Sequence, residues 1–107
     1  PFFHSASNEH WIMATSVDYY YQYVFLMGEL LKTLFDERDF ICVHKYAAMA
    51  LQFAPHSEDF YFWMIRSTMR VGHTEAARGE LRMAQAKLLE EEYAVLIERL
   101  KEVGELP

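Results

Sequence analysis

Apolar residues recur along this chain at steps of three and four, the spacing that aligns side chains on one face of a helix. From about Trp11, the positions Val17, Tyr20, Tyr21, Val24, Met27, Leu31 and Leu34 form such a face, predicting a long first helix that ends near Phe35. Residues 1–10, PFFHSASNEH, show no period and read as a leading segment or linker without helix, whose Phe2 and Phe3 are expected to dock on the body. The polar run Asp36 to Asp39 breaks the pattern and supplies a short side chain able to cap a second helix, Asp39 to Phe53, which Pro55 terminates. Ser57 followed by Glu58 and Asp59 opens a third helix, Glu58 to Val71, closed by Gly72. Thr74 and Glu75 open a fourth, rich in small residues: Ala76, Ala77, Gly79, Ala84 and Ala86. Tyr93, Leu96, Ile97, Leu100 and Val103 mark a fifth. Its start near Leu89 has no clear cap, so it either stands alone or continues the fourth across a kink. Strand signals are absent, and the expected class is all-α, tandem antiparallel hairpins of about five helices.

A period is visible within this pattern. Setting Arg38–Pro55 against Gly72–Leu89, an offset of 34 pairs Val43 with Ala77, Ala47 with Leu81 and Ala50 with Ala84. Thirty-four residues is the tetratricopeptide spacing. The chain resembles that family through Leu30, Leu31 and Leu34, then Phe40, Val43, Ala47, Ala50 and Pro55, then Met64, Ile65, Gly72, Ala77, Leu81 and Ala84. It departs at Arg38, where glycine is usual, at Thr68, where an aromatic is usual, and at Leu89, which replaces the closing proline. The resemblance places a helical domain over residues 11–107, with repeat one at about 24–57, repeat two at about 58–91 and a capping helix at about 91–103.

The aromatic lead, the tryptophan, the Tyr-rich first helix, two degenerate repeats and an acidic final helix together resemble the bacterial transcriptional activator domain. In that family such a module follows a winged-helix DNA-binding domain in one cytoplasmic regulator. The resemblance implies transcription regulation through contact with sister domains or self-association. A standalone adaptor for a peptide or partner helix is the alternative. Peptide-binding tetratricopeptide proteins use a concave groove, which maps here to Gly28, Lys32, Phe35, Phe62, Arg66 and Met69. Gly28 and Phe62 stand where a clamp for acidic C-terminal tails would place lysine, so that ligand is disfavoured.

Length and charge narrow the partners. The 107 residues fit one domain, and 52% hydrophobic residues are ample for one core. The net charge of -6 divides evenly between the halves, so no positive face offers itself to phosphates, and any DNA contact is expected through another domain. Cys42 stands alone, which excludes an internal disulfide and fits a reducing cytoplasm. No apolar run approaches the roughly 18 residues that span a bilayer, and no membrane partner is expected. The start at Pro1 rather than Met leads us to expect a piece of a longer protein.

Candidate chemistry is sparse, and the chain is not expected to be an enzyme. No two of His4, His10, His44, His56 and His73 fall at the i, i+4 spacing of a helical metal site, and no cofactor is expected. Cys42 and His44, two apart on a helix, point to different sides, which favours a buried structural thiol over a nucleophile. Glu90, Glu91 and Glu92 favour a helix start without catalytic duty. The four glycines form no phosphate-cradling loop. Two aromatic runs, Tyr19 to Tyr23 and Phe60 to Met64, wrap too much of their helices to face one core. Rings off the core face are expected either to cover the leading segment and pack within the chain or to meet a partner; in the second case Tyr19, Tyr21, Tyr23, Phe60 and Trp63 are the candidate self-association residues, in a two-fold contact.

Overall fold

The computed structural model describes residues 6–107, with side chains described from Ser16 onward. Among these residues the chain is entirely helical: α1 (Ala6–Asp36), α2 (Phe40–Phe53), α3 (Glu58–Arg70), α4 (Thr74–Lys87) and α5 (Glu90–Glu102). Connections of two to four residues force successive helices to fold back on one another as antiparallel hairpins.

Helix α1 begins at Ala6, not Trp11, so the expected non-helical segment 1–10 is corrected over its second half. Residues Ala6 to His10 contain no glycine or proline, and a helix propagates through such residues at little cost once nucleated. Phe2 and Phe3 lie outside the described residues. At 31 residues α1 is about 46 Å long, over twice the length of any other helix. Helix α2 ends at Phe53, whose ring meets Tyr20 and Tyr23 at 5.5 and 4.5 Å, so α1 continues past the end of its hairpin partner.

Capping follows the local chemistry. Asp39 precedes α2 and its carboxylate accepts from the Cys42 amide at 3.2 Å, while the Ser57 hydroxyl accepts from the Phe60 amide at 3.4 Å at the start of α3. Helix α3 ends in a Schellman turn: the Gly72 amide donates to the Met69 carbonyl and the His73 amide to that of Thr68, with Gly72 at φ 86°. The same pair of bonds closes α1, from Arg38 to Phe35 and from Asp39 to Leu34, with Arg38 at φ 63°. Arg38 thus adopts, 34 positions earlier, the left-handed conformation that glycine supplies at position 72. A third copy ends α5 at Gly104, φ 71°. Three helix ends, at Arg38, Gly72 and Gly104, therefore share one turn geometry.

Helices α4 and α5 are separate. Leu88 and Leu89 both take extended backbone, ψ 153° and 154°, Leu88 turning into the core while Leu89 faces out. His56, from the turn before α3, donates its Nδ1 proton to the Lys87 carbonyl at 3.1 Å and so satisfies one end of α4.

Helix α3 is the centre of the molecule and touches each of the other four. Every residue from Phe60 to Ile65 is buried. The expectation that this run leaves rings exposed for self-association is corrected: Phe60 is 0% and Trp63 7% exposed. A helix apolar on all sides is one surrounded by protein. Small residues let α2 and α4 lie close to it, and Val43, Ala47, Ala50, Ala77 and Ala84 are all fully buried. Leu31, Ile65, Leu96 and Leu100 complete the core, each contributing about 1.5–3 kcal/mol of transfer free energy.

Candidate functional site

Helices α1, α3 and α5 border a groove of about 470 Å³ lined by Tyr21, Val24, Phe25, Gly28, Glu29, Lys32, Asp59, Trp63 and Arg99. Gly28 permits this approach, since a Cβ there would lie 2.7 Å from Asp59 Oδ2. Asp59 is held in turn: Arg99 Nη1 donates to Asp59 Oδ1 at 2.9 Å and to Glu58 Oε2 at 2.6 Å. The Arg99 guanidinium also lies 3.8 Å from the Phe62 ring centre, stacked on an aromatic face. Burial pushes the Glu58 carboxyl above its ordinary range, and the nearby Arg99 only partly offsets that. One arginine therefore ties α5 to the start of α3 and forms the groove floor.

A second arginine cluster lies behind the first. Glu105, just past α5, accepts from Arg66 Nε at 2.8 Å and from Arg70 Nε at 2.9 Å. Arg66 sits 4.2 Å and Arg70 4.9 Å from the Phe35 ring centre. The carboxylate and Arg66 are nearly dry, with side chains 11% and 12% exposed.

Of the groove positions expected by resemblance, Gly28 and Lys32 border the open groove. Phe35, Phe62 and Arg66 do come together, but as a filled cluster under α5 and Glu105, so their availability as an open binding surface is corrected. Met69 is half-buried against the core. The cause is the chain past Glu90: α5 and Glu105 occupy the face of α3 that a peptide would need. Asp59, Trp63 and Arg99 were not anticipated as groove residues. The signal available for them was the acidic pair at the start of α3 and an arginine on a helix otherwise acidic at its start.

Of the expected self-association aromatics, Tyr19 and Tyr21 are 65% and 66% exposed, while Tyr23 is half-buried against Phe53. Sequence reasoning missed their exposed companions Phe25, Leu26 and Leu30, at 65%, 64% and 43%. Asp18, Tyr21, Phe25 and Lys32 fall on one stripe of α1, at steps of three, four and seven, and the last three border the groove.

On the opposite side, a cleft of about 420 Å³ between α2, α3 and α4 is lined by Phe40, Ile41, His44, Thr68, Val71 and Glu80, among others. His44 Nε2 meets Glu80 Oε2 at 2.6 Å, while Glu80 Oε1 is buried without a hydrogen-bond partner among the described residues. Cys42 is half-buried, so the expectation of a buried thiol is corrected to that extent. Its contact with the Asp39 carboxylate raises the thiol above its ordinary value, keeping it protonated and a poor nucleophile. Among the described residues no group of three or more His, Cys, Asp or Glu is placed to hold a metal ion, and no helix is long and apolar enough to cross a membrane.

No protein-family model, curated protein or solved structure matches this chain.

Proposed function

We propose that the chain is a protein-interaction module whose exposed α1 stripe and adjoining groove receive a polypeptide, and that it performs no chemistry of its own. The observation that carries this is the row of aromatic and aliphatic side chains, Tyr21, Phe25 and Leu26, each about two-thirds exposed on one helix beside a groove floored by the Arg99–Asp59–Glu58 cluster. Exposed apolar surface of this extent is a recurrent mark of protein contact. Within the resemblance to bacterial transcriptional activator domains, the module belongs to a cytoplasmic transcriptional regulator and binds a sister domain or a second copy. DNA is then reached through a separate basic domain, because a surface of charge -6 repels phosphates.

Quantitative affinity purification from the source cells, wild type against Phe25→Asp, tests this. The reading requires polypeptides, or the untagged protein itself, that the wild type retains and the variant loses at equal folded content. Identical retained sets would reject it.

A further inference from the structure

The stripe on α1 is self-complementary. Phe25 lies midway between Asp18 and Lys32, seven residues or two helical turns from each, and all three share one side of the helix. Among the described residues neither Asp18 nor Lys32 enters an ion pair. A two-fold axis through Phe25 that sets two α1 helices antiparallel brings the two Phe25 rings together and places each Asp18 opposite Lys32 of the partner subunit. Tyr21 then meets the partner's Glu29, a phenol donor facing a carboxylate. A parallel pair would instead stack lysine on lysine and aspartate on aspartate.

The area fits the same occupant. Tyr21, Phe25 and Leu26, between 64% and 66% exposed, offer roughly 350 Å² of side-chain surface within reach of that axis, taking about 150–250 Å² for a whole ring. Two copies would bury roughly 700 Å², and the exposed Asp18, Gln22, Glu29 and Lys32 on the same side bring the contact toward the roughly 1,200 Å² at which stable interfaces begin. The geometry points to a second copy of this chain as the occupant of the α1 face, packed antiparallel about Phe25. This inference rests on the interaction-module reading and names its partner.

Sedimentation equilibrium on the 107-residue chain tests it, with circular dichroism confirming that each variant stays helical. The expected result is a reversible species of twice 12.7 kDa, with micromolar dissociation. Asp18→Lys and Lys32→Asp should each weaken it about tenfold, since each makes two like-charge contacts by symmetry, and the double swap should return to within about threefold of wild type. Phe25→Glu should abolish association. A monomer at the highest concentration, or single swaps that add rather than cancel, overturns the inference. If such a monomer still retains a different polypeptide through Phe25 in the purification above, the module reading survives without the dimer. If it retains none, both fail.

Discussion

Replacing Glu105 by glutamine should destabilise the fold by about 2–4 kcal/mol, although the residue follows the last helix and would pass for a tail. Glu105 is 8% exposed and its carboxylate is bonded to both Arg66 and Arg70. Removing one member of a dry ion pair leaves the other charged and unhydrated, a loss of about 3–5 kcal/mol in buried cases. Two features reduce that figure here. Arg66 keeps the faces of Phe35 and Phe62, at 4.2 and 5.2 Å, and Arg70, 37% exposed, recovers water. For a domain of this size the loss corresponds to a melting temperature lower by roughly 10–25 °C, measurable by calorimetry and by urea unfolding at constant slope. Arg66→Met with Glu105→Met should recover much of it, because an apolar pair has no charge left to hydrate. A Glu105→Gln loss below about 0.5 kcal/mol, the scatter of ordinary surface changes, would refute the account of the cluster.

Arg38→Gly should be more stable than Arg38→Ala by about 1 kcal/mol in urea unfolding, since both lose the guanidinium over Phe40 but only glycine accepts φ 63° without strain. Asp39→Ala should cost about 1 kcal/mol through the lost α2 cap. It should also speed modification of Cys42 by a thiol reagent near neutral pH, because the carboxylate that holds the thiol protonated is gone. Glu58→Gln should gain stability relative to wild type as pH rises from acid to neutral. The folded carboxyl sits above its ordinary value near 4.5, so its contribution is fully present below that value and is lost as pH climbs through the folded one. Parallel pH–stability curves for the two proteins would contradict this.

Most of the helical plan is legible in the sequence because its punctuation is local. Ser57, Asp39, Pro55 and Gly72 act on amides within a few residues, and the structure puts the caps and stops of α2 and α3 at those positions. The left-handed turn at Gly72 is legible too, whereas the same turn at Arg38 is not, because an arginine carries no glycine signal there. The start of α1 was not legible, since Ala6 to His10 carry no apolar period although nothing in them opposes a helix. Nor was the separation of α4 from α5, where Leu88 and Leu89 give no breaker and the turn is set by Leu88 packing inward.

The candidate site was legible only in part for a different reason. Tyr19 and Tyr21 lie on α1, which has neighbours on one side only, so residues off its inward face stay exposed. Phe60 and Trp63 lie on α3, which has neighbours on every side, and an identical crowding of aromatics is there entirely core. Aromatic density alone does not distinguish the two cases; the position of the helix in the stack does. Phe35, Phe62 and Arg66 illustrate the same point from the groove side, because α5 and Glu105, far later in the chain, decide that they are covered.

The claim that the α1 face is where this protein meets another is tested most directly by placing a photo-activated benzoylphenylalanine at Phe25, with a control at the exposed Met49 on α2, and irradiating the source cells. The account predicts a discrete polypeptide adduct from position 25, at the mass of a second copy or of one larger partner, and none of that mass from position 49. Equal labelling from both positions, or no adduct from position 25, would contradict it.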